Sequence, residues 1–398
     1  MPSSLASALL VIAIAAIILP SGYPAYIGAY VTLVAAVLAL LGYGWRGRAA
    51  FSHPTSLAIL AAIVLVAGVL PFVYRGPRDL LAPVLILPML TTTALGVLAR
   101  SARWVPGPTV FALICLAGSL FALIGGAYEH FVLGLYRPGL GNNPIHYASL
   151  AAMSGCLAMV GVVSGAAHWR YLFLLGPVFG LSCSAIADSR GPMLGALSMT
   201  AVGMLALNVW LWRERLFRIA VTVSTGLATG VVVYLIGSGN ARVASVVQSG
   251  LAIFRFTGGS DDIRAALYAS AIEILRTSPL VGVGLGQIML AAETMFPELV
   301  VGTGLENLHA DWANFAAMAG VAGLLAWLLL LAAPVLLLLD PQTRQDRATV
   351  LGASLLTTGQ FTLGVSNATF GILPQTVIYA AGLGYFLVRA RHHSSQGK

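Results

Sequence analysis

The chain has 398 residues, of which 59% are hydrophobic and 9% charged, with a formal net charge of +8. A soluble domain carries roughly 25% charged residues, so this composition excludes a water-soluble globular enzyme and predicts an integral membrane protein. Cys115, Cys156 and Cys183 fall in apolar stretches without metal-ligand or disulfide spacing, where cysteine acts as a small apolar side chain.

A helix needs about 20 mostly apolar residues to cross the hydrocarbon core. On that measure twelve spans are predicted, over residues 4–20, 23–42, 56–74, 80–99, 108–127, 144–164, 171–187, 192–212, 217–237, 310–336, 347–366 and 371–389. The first lacks a basic n-region and a small-residue cleavage site, so it reads as a retained span. No linker, low-complexity tract or fixed-period repeat precedes the polar tail after Arg391, and residues 1–398 are expected to form a single membrane domain.

Orientation follows from the flanking basic residues. With the N-terminus inside, thirteen of the twenty-one basic residues are cytoplasmic, while only Glu214, Asp340 and Asp346 of the thirteen acidic ones are. The positive charge is thus mostly topogenic and does not point to nucleic acid. Eight arginines nevertheless face outward: Arg75, Arg78, Arg137, Arg190, Arg242, Arg255, Arg264 and Arg276.

The outward segments, in order, are 75–79, 128–143, 188–191, 238–309 and a short uncharged turn near 367–370. Residues 238–309 form one large loop between the ninth and tenth spans, with six of the thirteen acidic residues and four of the basic ones. Within it, 242–256 reads as a weakly amphipathic interfacial segment. Gly258-Gly259-Ser260-Asp261-Asp262 then signals a turn and N-cap before a helix over 263–276, which Ser278-Pro279 ends. Gly282, Gly284 and Gly286 make a flexible connector, followed by a short helix around 287–296.

Four outward clusters are candidates for chemistry. In Arg137-Pro138-Gly139-Leu140-Gly141-Asn142-Asn143-Pro144-Ile145-His146-Tyr147, Asn143 and Pro144 suit an N-cap and first turn, placing His146 and Tyr147 where span six opens. Substrate positioning and a plain structural cap are both compatible with this pattern. In Asp188-Ser189-Arg190-Gly191-Pro192, Asp188 or Ser189 can cap the next helix, setting Arg190 beside a helix N-terminus that already attracts anions; pairing of Arg190 with Asp188 is the alternative. Arg264 opens the loop helix, where a cation opposes the macrodipole, with Tyr268 one turn further on the same face; pairing with Asp261 or Asp262 would also account for it. His309, between Glu306 and Asp311, stands where the loop returns to the membrane, and imidazole is the commonest general base. A boundary histidine with no chemical role is the other reading.

Some patterns are missing. Gly282-x-Gly284-x-Gly286 has no strand–turn–helix unit around it and is not a dinucleotide site. There is no outward Asp-x-Asp pair for a divalent metal and no serine nucleophile elbow. Ionisable residues are scarce at span centres, which argues against a transporter or flippase. Arginines and one base remain, with no metal or cofactor, a combination suited to a diphosphate leaving group whose charge the protein neutralises.

At these residues the chain resembles the O-antigen ligase family, whose members share a fold with O-antigen polymerases. The resemblance runs through Asn143-Pro144-Ile145-x-Tyr147, Ser189-Arg190-Gly191-Pro192, Arg264 leading to Ser278-Pro279-Leu280-x-Gly282-x-Gly284, and His309 followed by Gly320-Val321-Ala322-Gly323-Leu324-Leu325. It covers roughly spans five to twelve. Ala310 departs from it, since the family often has Asn after the histidine. The resemblance implies an all-α, polytopic, GT-C-like glycosyltransferase of about twelve spans with one large periplasmic helical loop, in the inner membrane of a Gram-negative bacterium. It implies inverting, metal-independent transfer of polysaccharide from an undecaprenyl diphosphate donor to a lipid A-core acceptor. Arg190 and Arg264 would bind the diphosphate, and His309 would serve as base toward the acceptor hydroxyl or as a phosphate ligand. Arg137, His146, Tyr147, Asn143 and Tyr268 are expected to line the substrate site. An O-antigen polymerase, or an O-linked oligosaccharyltransferase acting on protein, would use the same donor and differ in acceptor.

Overall fold

The computed structural model describes residues 2–19, 22–164, 168–237 and 260–396, and the regular structure within them is helical. The interfacial segment expected over 242–256 and the turn at Gly258-Gly259 lie outside the described residues. In chain order the α-helices are α1 (Ser3–Ala15), α2 (Pro24–Tyr43), α3 (Pro54–Val73), α4 (Leu81–Ile86), α5 (Leu90–Leu98), α6 (Pro108–Ala127), α7 (Pro144–Leu157), α8 (Leu175–Ile186), α9 (Arg190–Leu211) and α10 (Arg215–Gly237). After the break come α11 (Ser260–Thr277), α12 (Ile288–Met295), α13 (Pro297–Val300), α14 (Asp311–Leu336), α15 (Pro341–Gln345), α16 (Arg347–Ser366) and α17 (Leu373–Gln396). Among the described residues nine helical stretches are long and apolar enough to cross a membrane.

These helices are apolar on the outside as well as within. Leu41, Phe72 and Val209 project from α2, α3 and α9 at 80%, 75% and 75% exposure, a pattern that water would penalise and lipid accepts. Where helices meet, small residues let backbones approach: Gly155 of α7 and Gly176 of α8 each lie so close to the other's carbonyl that a Cβ would stand 2.2 Å from it.

Several predicted spans are not continuous α-helix. Pro83 and Pro88 divide the fourth into a short 3-10 turn (Pro77–Leu80), α4, a second turn (Leu87–Met89) and α5, because proline removes a backbone donor and crowds the preceding turn. The sixth tightens to 3-10 over Ala158–Val163, and the seventh begins as 3-10 over His168–Leu174.

The tenth span contains the break that matters for the site. Within α14, Ala319 and Gly320 leave helical geometry, Gly320 at φ 61° and ψ −143°. Residues 279–284 of the connector fill the gap. Val283 N–H donates to the Ala317 carbonyl at 2.8 Å, Gly284 N–H to that of Met318 at 3.3 Å, and Val321 N–H to that of Pro279 at 2.7 Å. Backbone groups released by the kink are thereby satisfied inside protein, as apolar surroundings demand. A buried carboxylate fastens the other side of the connector: Asp79 accepts from Arg75 N–H (2.8 Å), Gly76 N–H (3.2 Å) and Gly286 N–H (2.8 Å). The glycine-rich connector, expected to be flexible, is therefore bolted at both ends.

Candidate active site

His309 is held by its own backbone. Its N–H donates to Asn307 Oδ1 at 2.9 Å, and the preceding N–H, of Leu308, donates to Asn314 Oδ1 at 2.8 Å. The residue sits at φ 55°, a left-handed conformation uncommon outside glycine, in which histidine is among the more tolerant side chains. Such conformations persist where surrounding contacts enforce them, and they cluster at functional sites.

Two residues on, Asp311 is fully buried at the start of α14. Its Oδ1 accepts from Thr369 N–H at 2.7 Å and Phe370 N–H at 3.0 Å, and its Oδ2 takes the Thr369 hydroxyl. The α16–α17 turn is thus pinned to the helix that follows His309. That turn carries Asn367, a buried residue whose side chain reaches the His309 imidazole closely enough to act on its protonation.

Arg264 arrives from the loop. The α11 face bearing Leu267, Ala271 and Ile274 is buried, and Tyr268 packs on Trp312 of α14 with ring centroids 5.5 Å apart. This docking brings the Arg264 guanidinium close enough to act on both Tyr268 and His309. Burial and then the Arg264 charge hold the His309 imidazole below its ordinary pKa, while the Asn367 side chain works the other way. Neutral imidazole is favoured on balance. His146, on the first turn of α7, is also within electrostatic reach of His309. His309 Nδ1, His146 Nδ1 and Asn367 Nδ2 are all buried without a hydrogen-bond partner. Buried polar atoms are rarely left so, and here three occur on neighbouring side chains.

Arg190 opens α9 after a tight turn in which Asp188 has φ 50°. Gly191 lies against Ser366, where a Cβ would come within 2.6 Å of the hydroxyl, so the start of α9 abuts the turn that carries Asn367. Ser189 occupies the N-cap position but its side chain does not cap. Its hydroxyl donates instead to Ala187 O at 3.1 Å and lies 3.4 Å from an Arg137 nitrogen that donates to it. Arg137 also donates from Nε to Ala187 O at 3.1 Å, and the Tyr136 hydroxyl donates to Asp188 at 3.0 Å. Arg137 is thereby anchored to the α8–α9 turn from which Arg190 opens α9.

Arg264 and His146 lie within electrostatic reach of His309, Tyr268 lies within reach of Arg264, and the start of α9, with Arg190, packs against the end of α16 through Gly191 and Ser366. Tyr147 is not brought to this cluster. It is fully buried, and its hydroxyl donates to Ala122 O of α6 at 2.8 Å, which gives it a packing role. Asn143 forms the expected cap, accepting from Ile145 N–H at 2.9 Å, and its oxygen is committed there. Sequence reasoning missed Asn367, Asn307 and Asn314, which carry no charge to draw notice. It also passed over Asp79, whose position beside a Gly-Pro turn was the one available signal. Among the described residues no three of His, Cys, Asp and Glu converge as a metal site would require.

Nine helical stretches among the described residues, long and apolar enough to cross a membrane and with large apolar side chains exposed on their outer faces, define a multi-pass membrane protein. Residues 175–328 match the family model described as O-Antigen ligase. That segment, which includes Arg190, Arg264 and His309, is similar to the O-antigen ligase family. No curated protein matches the chain.

Proposed function

We propose that this protein transfers a polysaccharide from undecaprenyl diphosphate to a sugar of lipid A-core at the periplasmic face of the inner membrane of a Gram-negative bacterium. The observation that supports the reading is that His309, at φ 55°, lies within electrostatic reach of Arg264, whose charge helps hold the imidazole below its ordinary pKa. In the proposed step, the acceptor hydroxyl oxygen bonds to the anomeric carbon from the face opposite the leaving group, inverting it. The bond from that carbon to the phosphate oxygen breaks, and undecaprenyl diphosphate leaves with the electron pair. Arg264 and Arg190 stabilise the charge that develops on the diphosphate, which guanidinium forks do well. His309 accepts the hydroxyl proton, a task for which its neutral form is the competent one.

Neutralisation by arginine makes the reaction metal-independent. Twelve spans with the N-terminus inside, in a GT-C-like arrangement, put residues 238–309 and the site on the periplasmic side. Helices α1, α10 and α17 lie where the three spans beyond the nine are expected, which supports that count.

Replacing Arg264 or His309 with Ala is expected to abolish surface O-antigen while leaving the protein inserted and abundant, as read from lipopolysaccharide ladders and membrane immunoblots. Normal ladders from both variants would refute the catalytic assignment.

A further inference from the structure

A cavity of about 540 Å³ lies between α4, the connector, α12, residues 305–307, the first turns of α14 and the α16–α17 turn. Small-molecule sites typically measure about 300–1,000 Å³. Its polar lining is Arg78, Glu293, Glu306, Asn307 and Asn314. Arg264, Arg190 and His309 do not line it.

Charge separates this cavity from a diphosphate site. Two carboxylates face one guanidinium, so a dianion would meet net repulsion. Among the described residues neither Arg78, Glu293 nor Glu306 spends its side chain on an ion pair or hydrogen bond within the protein. Carboxylates accept hydrogen bonds, guanidinium donates them and amides do both, which is the set that an uncharged, hydroxyl-rich ligand can satisfy. The remaining lining is mostly apolar. Leu81 stands exposed on α4, within a stretch able to cross a membrane, so a ligand carried on lipid can reach the cavity without leaving the bilayer.

The cavity also adjoins the base. Asn307 and Asn314 in its wall are the two amides that hold the backbone of His309 and Leu308. Ala368, beside Asn367, lines it as well. We infer that this cavity holds the uncharged sugar of the glycolipid acceptor, with Glu293, Glu306 and Asn307 hydrogen-bonding its hydroxyls and turning one of them toward His309. The inference rests on the transfer reaction proposed above.

The test uses the full-length protein in lipid nanodiscs and two variants outside the arginine–histidine cluster. Leu290→Trp fills the cavity from an exposed position, and Glu306→Gln keeps shape while removing charge. Each is expected to raise the half-saturating acceptor concentration about tenfold, the worth of one charge-assisted hydrogen bond or more. Half-saturation by the lipid diphosphate donor is expected to stay within about twofold, as for loss of acceptor contacts alone. A rise confined to the donor would assign the cavity to the donor's own glycan and overturn the inference; no change in either constant would overturn it too.

Should the wild-type protein transfer to no acceptor, the reaction is wrong but the cavity remains testable. Saturation-transfer NMR with deacylated lipid A-core oligosaccharide should then show binding to wild type that is lost in Leu290→Trp. Equal signals from the two proteins, or none from either, would overturn the inference.

Discussion

At the scale of single residues, the site depends on two properties that charge alone does not supply. The first is fork geometry. Arg264→Lys keeps the positive charge but offers one ammonium in place of two parallel N–H donors, so transfer should fall by more than about tenfold. Wild-type rates from that variant in a reconstituted assay would mean that only net charge matters. The second is the protonation state of His309. Its pKa lies below the ordinary 6.5, so the imidazole stays neutral as pH falls to that value and protonates only below it. The acid limb of the pH–rate profile should accordingly lie below pH 6.5. Asn367→Ala removes the side chain that favours the protonated ring, and the limb should move to still lower pH. Movement of the limb upward would contradict this assignment. Asn367 was not legible in the sequence because it sits in an uncharged turn nearly sixty residues from the histidine; the Asp311 staple ties that turn to the helix that follows His309.

At the scale of elements, the break in α14 couples the loop to the bundle. Gly320 sits in a backbone region that essentially only glycine enters, and a Cβ there would lie 2.5 Å from Pro279 O. Gly320→Ala should therefore cost about 1–3 kcal/mol and loosen the connector from α14. The expected signs are a lower melting temperature in detergent and faster tryptic cleavage at Arg276, with membrane insertion unchanged. Cleavage and melting equal to wild type would show that the connector is not held through this kink. Hydropathy located the tenth span but could not reveal its interruption, since Ala-Gly in an apolar helix reads the same whether or not another segment is inserted beside it. Helix α11 was legible from its N-cap signal and periodicity, and it forms over Ser260–Thr277 where 263–276 was expected.

At the scale of the whole molecule, the proposed diphosphate site draws on three stretches far apart in sequence: the α8–α9 turn, the loop helix and the segment ahead of α14. Because arginines supply the positive charge, purified protein should transfer with a chelator present. Loss of transfer on chelation, restored by a divalent ion, would overturn that part of the reading. The acceptor is a property of the assembled surface, and reconstitution with lipid A-core, a second lipid-linked glycan and a protein should give product with the first. Transfer to the lipid-linked glycan alone would make the protein a polymerase, and transfer to protein alone an oligosaccharyltransferase.

The sequence by itself determined the membrane class and the approximate positions of the spans. Each of these follows from local composition, and partition into lipid is a property of some twenty consecutive residues. It also picked out Arg190, Arg264 and His309, because charge at a membrane boundary is costly enough to be conspicuous. Tertiary structure decided which of the candidates meet. It put His146 near His309 but turned Tyr147 into the helix packing, although both lie on one turn of α7. It recruited Asn307, Asn314 and Asn367 through hydrogen bonds whose partners are set by how the chain folds back. Proximity across sixty or more residues depends on helix packing and on buried carboxylates such as Asp79 and Asp311, which choose their donors only once the helices have assembled.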